Sequence, residues 1–434
     1  MLTEDQLRIT TLGEPTFNSP LKSVMEGPRE FVDDLRRVLL DVEFSGDEPP
    51  TPLGFEKAGP RERVFFDAAQ STAAIVTCGG LSPGLNNVIR NLYYTLHDNY
   101  GVPRVLGIRN GYQGLNPDEG RPPIPLTGKH VERVHHAGGT ILGSSRGPQE
   151  PRVTVDFLES LGVDMLFTIG GDGTQRGARA IAHEVERRGA KIAVVGIPKT
   201  IDNDIKYCYR SFGFLTAVAE AERVIDRAHV EAKSVQRGVG LVKLMGRHAG
   251  FIAAAATIAS GEVNFTLVPE TPLVMEGDDG FLAKLGRRLD ARDHAVVVVA
   301  EGAGQELFAA SQEGRPGIDK SGNRKLGDIG PLLKERITEH FKQPGMRPAN
   351  VKYFDPSYYI RSAAAGAADS LLTEQLARQA AHAAMAGKTD LIVSLWNNRS
   401  VHVPLELTTG QAKRMDPASD LWGAVLAITG QERW

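Results

Sequence analysis

The sequence predicts an α/β protein with two doubly wound lobes, mostly parallel sheets and an N-terminal arm. Short, continuously apolar runs are typical of buried strands, longer amphipathic or alanine-rich runs between them favour helices, and glycine loops follow several strands. Apolar strands that alternate with helices indicate parallel sheets covered on both faces. Each lobe is therefore expected to be Rossmann-like, with the active site beyond the carboxyl ends of the strands, in the cleft between the lobes.

The pattern along the chain gives the predicted elements in order. Strands are expected at residues 73–78, 105–108, 164–169, 192–197, 239–244, 295–300 and 391–396. Helices are expected at residues 86–96, 175–188, 215–229, 248–259 and 363–385. Four segments follow: an N-terminal extension (1–70), a first α/β lobe (71–210), a second α/β lobe (211–400) and a C-terminal segment that packs back on the body (401–434).

The extension is predicted to be a loosely packed arm that lies on a neighbouring subunit. Prolines interrupt it repeatedly, and residues 31–40 form its one clear helix candidate.

Composition excludes several classes of protein. The 434 residues carry a net charge of -3, so no basic bias indicates nucleic acid. The acidic start lacks an apolar signal core, and no apolar run is long enough to span a membrane. Two cysteines cannot form a disulfide framework, and Cys78 is expected to be a small buried residue. A cytoplasmic protein without membrane or nucleic-acid partners is expected.

The motif Gly170-Gly171-Asp172-Gly173-Thr174 follows a predicted strand. Glycines leave backbone N–H groups open to phosphate oxygens, and magnesium prefers one or two carboxylates with waters and phosphates. Asp172 is the candidate magnesium ligand. The alternative is a turn aspartate that caps the next helix.

A second motif, Lys199-Thr200-Ile201-Asp202-Asn203-Asp204, also follows a strand. Transfer of a phosphoryl group to a hydroxyl needs a carboxylate that takes the proton, and Asp202 is the candidate. Lys199 supplies a compact positive charge beside the acids. Two carboxylates this close are expected to influence each other's pKa.

Other loops offer groups suited to phosphate or sugar. Glycines follow Cys78, and Arg146 lies among small residues, although the local sequence alone favours a solvated surface arginine. Arg247 lies in the first turn of a predicted helix, where a cation is unfavourable unless an anion binds there. Glu301 ends an apolar strand, and Lys352 and Arg361 precede the alanine-rich helix; their local sequence leaves a function and a structural role equally open.

Taken in order, these motifs resemble the 6-phosphofructokinase family over roughly residues 73–400. Diacylglycerol and NAD kinases share the Gly-Gly-Asp-Gly-Thr element but not Pro-Lys-Thr-Ile-Asp-Asn-Asp or Met-Gly-Arg. The resemblance implies a magnesium-dependent transfer to the 1-hydroxyl of fructose 6-phosphate in glycolysis. It makes Asp202 the base, with Lys199, Thr200 and Arg247 as further catalytic residues, and Asp172 the magnesium ligand.

The resemblance also assigns two binding sets. The donor set is Gly80, Arg146, Gly147, Gly171, Asp172, Gly173 and Thr174. The sugar-phosphate set is Thr200, Ile201, Asp202, Met245, Gly246, Arg247, Glu301, Lys352, Tyr358, Tyr359, Ile360 and Arg361. Lys352 matches a position that reaches a neighbouring subunit's active site, which implies a homo-oligomer, a dimer or tetramer.

Three departures from the short bacterial enzymes indicate the family's longer branch. Tyr358 is at a position where the short enzymes have histidine, and Lys352 is where they have arginine. A second family arginine that reaches a neighbouring subunit has no aligned equivalent here, because Arg237 is one residue out of register.

Two positions bear on the phosphoryl donor. Pyrophosphate-dependent members usually carry aspartate at the position of Gly173, where it would repel the α-phosphate of ATP. Lysine at the position of Lys199 is typical of pyrophosphate enzymes but is compatible with either donor. ATP is therefore the predicted donor and pyrophosphate the alternative. A non-catalytic regulatory subunit is a lesser alternative. Such subunits tend to lose the base or the metal ligand, whereas this chain has both Asp202 and Asp172.

Overall fold

The computed structural model describes residues 2–23, 31–43, 46, 52–309, 317 and 325–432. The strands in this part of the chain are β1 (Thr10–Thr11), β2 (Phe17–Asn18), β3 (Arg37–Leu39), β4 (Gly54–Lys57), β5 (Arg63–Val64), β6 (Thr72–Thr77), β7 (Arg104–Ile108), β8 (Ile124–Pro125), β9 (Met165–Gly170), β10 (Ala193–Pro198), β11 (Gly238–Leu244), β12 (Phe265–Leu267), β13 (His294–Ala300), β14 (Asn350–Phe354), β15 (Lys388–Thr389), β16 (Leu391–Trp396) and β17 (Arg399–Pro404).

The α-helices in the same ranges are α1 (Leu85–Tyr94), α2 (Gly128–Val131), α3 (Pro151–Ser160), α4 (Asp172–Arg188), α5 (Phe214–Lys233), α6 (Phe251–Ser260), α7 (Phe281–Arg292), α8 (Glu306–Ala309), α9 (Ile329–Phe341), α10 (Ser357–Arg361), α11 (Ala367–Met385), α12 (Leu405–Thr408) and α13 (Asp420–Thr429). A π-helical turn (Thr95–Tyr100) continues α1, and short 3-10 turns cover Asp5–Leu7, Pro20–Ser23, Ala68–Gln70, Gly111–Leu115 and Val134–His136.

The chain divides into two compact units. The first unit contains Met1–Thr200, Ile205–Gly213 and Ser362–Gln411, and the second contains Ile201–Asp204, Phe214–Arg361 and Ala412–Trp434. The predicted boundary near residue 210 is close to the point after Gly213 where the chain passes from the first unit to the second. The predicted second lobe differs, however, because α11, β16 and β17 belong to the first unit, where α11 packs in the core and both strands join the sheet.

The first unit is built on a sheet whose strand order among the described residues is β3-β4-β17-β16-β10-β9-β6-β7-β8. The five strands from β16 to β7 are parallel, and the flanking strands are antiparallel. Alternate residues of β6 explain the burial on both faces: Ala73 and Ile75 pack with α1 and α11, whereas Ala74 and Val76 pack with α3 and α4. The predicted doubly wound arrangement is confirmed for this unit.

The second unit contains a parallel sheet with the order β12-β13-β11-β14 in the described residues. Val242 and Leu244 of β11 pack on the face covered by α5, α6 and α13. Val239 and Leu241 pack on the opposite face, which α7 and α9 cover. This unit is therefore also a sheet between two helical layers, as the apolar strand runs predict.

The helix predicted for residues 31–40 is wrong. Asp33 accepts hydrogen bonds from the backbone N–H groups of Leu35 and Arg36, at 2.9 and 3.0 Å, and this turn leads into β3. Strand β3 then pairs antiparallel with β4, which extends the large sheet beyond β17. A side chain that caps a turn competes with helix formation, and sheet pairing satisfies the backbone instead.

The described part of the extension is also held more firmly than a loose arm. Glu56 of β4 is 5% exposed and accepts bonds from Arg61, Lys388 and His402 at 2.8, 2.8 and 2.9 Å. Burial alone would raise the pKa of Glu56, but bonds from His402 and Lys388 lower it to about 2. This buried ion cluster fixes the extension to the body of its own chain.

No helix among the described residues is long and apolar enough to cross a membrane. Cys78 is buried, as predicted, and Cys208 is buried as well. Burial raises the pKa of Cys78 to about 12, which disfavours the thiolate form.

Candidate active site

Three of the loops that carry predicted donor or catalytic residues leave neighbouring strands of the first unit. Strands β6, β9 and β10 are parallel neighbours, and their registers place Thr77 beside Ile169 and Pro198 beside Gly170. The loops that begin at Cys78, Gly171 and Lys199 therefore start at the same edge of the sheet, where ligands of such folds bind.

Lys199 lies against the first glycine loop. It is 5% exposed, and its ammonium donates to the carbonyl oxygen of Gly80. A Cβ atom on Gly79, whose φ is +83°, would lie 3.3 Å from the Lys199 Nζ atom. The glycines thus let the lysine approach the backbone closely and place its positive charge beside the loop.

The loop that carries Arg146 is held against the same glycines. The Ser144 hydroxyl donates to the Gly79 carbonyl at 2.6 Å, and the Gly79 N–H donates to the Ser145 carbonyl at 3.0 Å. Arg146 is exposed, and its guanidinium would lie 3.9 Å from a Cβ atom on Gly80. Gly147 follows with a φ of +106°. The structure therefore brings Gly80, Arg146 and Lys199 together.

Asp172 is the first residue of α4, and Gly171 is its N-cap. Two hydrogen bonds hold the first turn of α4. The buried Gln175 side chain donates to the Gly170 carbonyl at 2.8 Å, and the Tyr112 hydroxyl donates to the Thr174 carbonyl at 2.6 Å. A helix N-terminus attracts anions, so the predicted donor residues 171–174 face a favourable field for phosphate.

The Asp172 carboxylate has two partners in the first unit. One oxygen is paired with Arg176, and the other accepts a bond from the Gly410 N–H at 3.4 Å. In the described ranges, no group of three or more His, Cys, Asp or Glu side chains could hold a metal ion. A magnesium ion held by one or two carboxylates, waters and phosphate oxygens needs no such group. Asp172 therefore fits an ion that binds together with a nucleotide's phosphates.

Gly173 is exposed, and the space beside it is open. Apart from the helix's own backbone, the nearest atom to a Cβ built on Gly173 is the Arg176 Nη2 atom, at 3.8 Å. Sequence reasoning did not select Arg176. Its position four residues after Asp172 in a predicted helix was the available signal, because residues at this spacing lie on one helix face.

The chain passes from the first unit to the second between Thr200 and Ile201. The Thr200 carbonyl accepts a bond from Ser211 within the first unit, whereas Ile201 packs against the core of the second unit. The motif that contains the candidate base thus supplies residues to both units.

Asp202 lies beside Arg247 and Glu301 in the second unit. Its Oδ2 atom accepts a hydrogen bond from the Arg247 backbone N–H at 3.2 Å. Burial raises the pKa of Asp202 well above its ordinary value, and the carboxylates of Asp204 and Glu301 raise it further, whereas Arg247 opposes the rise. Burial also raises the pKa of Glu301, against the positive charges of Arg247 and Lys243. Asp202 therefore has a raised proton affinity, which suits a base.

The segment Met245–Arg247 and Glu301 follow adjacent parallel strands, in which Leu244 pairs with Ala300. Gly246 has a φ of +133°, and a Cβ atom there would lie 2.7 Å from the Ala249 carbonyl oxygen. Glycine is therefore required at this turn. Met245 is 7% exposed and belongs to the hydrophobic core.

Helix α10 carries the remaining predicted sugar-phosphate residues. Tyr358 and Tyr359 are 75% and 65% exposed, and the Arg361 guanidinium lies 4.2 Å from the centre of the Tyr358 ring. Ile360 is fully buried in the core of the second unit, so its side chain anchors the helix.

Lys352 and Arg237 have different surroundings. Lys352 is half-buried on β14, the edge strand of the described sheet. Arg237 is 4% exposed, pairs with Asp290 and lies over the Phe341 ring. The Arg237 side chain therefore has its partners within its own chain, in agreement with its position one residue away from the family's second arginine.

Sequence reasoning also missed Lys243, the penultimate residue of β11. It is 9% exposed, and its ammonium lies 2.8 Å from both Asp328 and Asp355. The available signal was a single charge inside an apolar strand run, since a buried charge requires partners.

Comparisons with known proteins agree with the predicted resemblance. The chain is 46% identical over 435 residues to an ATP-dependent 6-phosphofructokinase of Borreliella burgdorferi, covering 98% of this chain and 96% of that protein. It is 46% identical over 441 residues to the enzyme of that name from Amycolatopsis methanolica, covering 98% and 95% of the two chains. It is 44% identical over 437 residues to the one from Trypanosoma cruzi, covering 99% and 88%.

A solved structure shares the fold. The pyrophosphate-dependent phosphofructokinase from Marinobacter aquaeolei superposes with a TM-score of 0.67 at 20% identity, covering 84% of this chain and 92% of that one. The family model described as phosphofructokinase matches residues 72–384. By this match and by the identity of its relatives along nearly its whole length, the chain belongs to the phosphofructokinase family.

Proposed function

We propose that this protein is an ATP-dependent 6-phosphofructokinase, which transfers the γ-phosphoryl group of ATP to the 1-hydroxyl of fructose 6-phosphate. The observation that carries the proposal is the Asp202 carboxylate, placed by the Arg247 N–H and given a raised pKa by burial and by Asp204 and Glu301. Asp202 takes the proton of the 1-hydroxyl as that oxygen bonds to the γ-phosphorus and the bond to the β-phosphate oxygen breaks.

The charged acceptor residues Arg247, Glu301 and Arg361 follow strands of the second unit. Glu301 accepts hydrogen bonds from sugar hydroxyls, while Arg247 and Arg361 bind the 6-phosphate. The exposed Tyr358 ring supports Arg361 through the contact at 4.2 Å. Bidentate arginines suit a phosphate that must be held while the other end of the sugar reacts.

The donor residues belong to the first unit. Backbone N–H groups of residues 171–174 and the charges of Lys199 and Arg146 hold the phosphates. Asp172 would hold a magnesium ion, which neutralises charge on the phosphate oxygens. The Arg176 partner of Asp172 is expected to move away when the ion binds.

ATP is favoured as the donor by the open space at Gly173 and by the names of the relatives. Lys199, typical of pyrophosphate enzymes, supports the alternative donor. The test is to measure initial rates with fructose 6-phosphate and magnesium, comparing ATP with pyrophosphate. Activity with pyrophosphate alone would reverse the donor assignment, and activity with neither would favour the regulatory-subunit alternative.

We also propose that the protein is a cytoplasmic homo-oligomer in which Lys352 reaches the neighbouring subunit's active site. Its place on an edge strand supports this, because an edge strand is where a second chain can approach.

A further inference from the structure

We propose that Lys243 is a positioning residue for the sugar phosphate, one that joins β11, the strand that leads to Arg247, to the segment that carries Tyr358 and Arg361. This inference rests on the proposed function. No sequence motif points to Lys243, and the inference comes from its burial and its two carboxylate partners.

The sheet explains how Lys243 links these segments. Strands β11 and β14 are parallel, and Val242 pairs with Phe354, so Asp355 follows β14 directly beside Lys243. The ammonium lies 2.8 Å from Asp355, which also accepts bonds from the Ser357 hydroxyl at 2.6 Å and the Ser357 N–H at 3.2 Å. Asp355 thus holds the start of α10 and, through Lys243, ties it to β11.

The charges support a permanently ionised link. Burial opposes the charge of Lys243, but bonds to Asp328 and Asp355 outweigh burial and raise its pKa. Burial likewise opposes ionisation of Asp355, yet bonds from Lys243 and Ser357 hold its pKa below the ordinary value. Lys243 and Asp355 therefore stay charged across the physiological pH range, so their ion pair is kept there.

The charge of Lys243 also acts on Glu301. Lys243 and Val299 are register partners on neighbouring strands, and Glu301 comes two residues after Val299, directly beyond the end of β13. The groups around Glu301 are Asp202, Arg247, Lys243, Asp355 and Arg361. Removing the Lys243 charge should let Glu301 bind a proton at higher pH, since Lys243 now lowers its pKa.

The test compares Lys243→Met with the wild type by calorimetric binding of fructose 6-phosphate, without a donor, from pH 5 to 8. We expect the variant to bind fructose 6-phosphate about tenfold more weakly, and to lose this binding at a higher pH than the wild type does as the solution is acidified. The KM for ATP should stay within about twofold of the wild-type value. Lys284→Met is the matched control. Lys284 has a side chain 10% exposed, against 11% for Lys243, and it pairs with Glu432 at 3.2 Å.

Two further variants test the link even if Lys243→Met fails to fold. Asp355→Asn should reproduce the loss of sugar affinity, whereas Asp328→Asn, which leaves the bond to Asp355 intact, should not. Unchanged fructose 6-phosphate affinity in Asp355→Asn would overturn the proposal, as would equal effects of Lys243→Met and Lys284→Met. Absence of ATP-dependent turnover in the wild type would instead count against the proposed function.

Discussion

Replacing Gly173 by aspartate tests the donor assignment most directly. The substitution should fold normally, because the nearest neighbour of a Cβ atom at this position, outside the helix backbone, is the flexible end of Arg176 at 3.8 Å. An acidic residue in the first turn of α4 is also favourable for the helix, by about 0.3 to 1 kcal/mol. Any loss of activity therefore has to arise from the donor site.

The magnitude follows from the charge that the substitution introduces. Two unit charges about 4 Å apart repel by about 4 kcal/mol at an effective dielectric constant of 20, and by about 1 kcal/mol in bulk water. Gly173 is exposed, so the repulsion between the new carboxylate and an α-phosphate falls between these limits. The expected loss in kcat/KM for ATP is about fivefold to a thousandfold.

The assay measures kcat/KM for ATP and for pyrophosphate, with thermal unfolding as the check on folding. Gly173→Asn is the matched control, because it adds nearly the same volume without the charge. The aspartate should reduce ATP use much more than the asparagine does, and KM for fructose 6-phosphate should stay constant. Full ATP activity in a folded Gly173→Asp variant would refute the reasoning.

The other predictions concern Asp202, Lys352 and Glu56. Asp202→Asn should lower kcat by about a hundredfold to ten-thousandfold while calorimetric fructose 6-phosphate binding persists; surviving turnover would exclude Asp202 as the base. Because burial raises the pKa of Asp202 in the folded chain, wild-type stability should fall as pH rises above the ordinary pKa of an aspartate, so Asp202→Asn should melt at a higher temperature at pH 7 but not near pH 3. If Lys352 acts in the neighbouring subunit, re-associated mixtures of Lys352→Met and Asp202→Asn chains should recover about a quarter of wild-type activity, whereas no recovery would place Lys352 in its own chain's site. Glu56→Gln should lower the free energy of unfolding by about 3 kcal/mol at pH 7, with a smaller difference as pH falls toward 2, where wild-type Glu56 also gains a proton; an unchanged urea midpoint would contradict this.

The sequence predicted the central strands well, because their signal is local. Runs such as residues 73–78 and 239–244 are continuously apolar, and the structure has β6 and β11 within one residue of these bounds. The loops after these runs were equally recognisable, since they carry glycines, charged residues or both directly after such a run. Local patterns were sufficient wherever the structure depends on local burial.

The errors come from contacts distant in sequence. Within residues 31–40, Arg37–Leu39 form β3 because β4 pairs with them, and no property of the segment alone indicates that partner. Assignment of α11 to the first unit depends on packing against α1 and β10, nearly 300 and 200 residues earlier. Lys243 was missed for the same reason, because its partners Asp328 and Asp355 are 85 and 112 residues away.

The proposed donor residues of the first unit and the proposed acceptor residues of the second unit depend on different physical features, and this difference decides how each set can change. The proposed donor residues lie on a glycine framework in which Gly173 is exposed with open space beside it, so substitution at Gly173 changes which donor binds without disturbing the core. The acceptor residues are carboxylates and cations that shift one another's pKa, and Lys243 ties them to a buried strand. Change on the acceptor side leaves a charge without its partner and costs stability. Donor specificity is therefore the property that a single substitution can alter, whereas acceptor specificity requires coordinated changes.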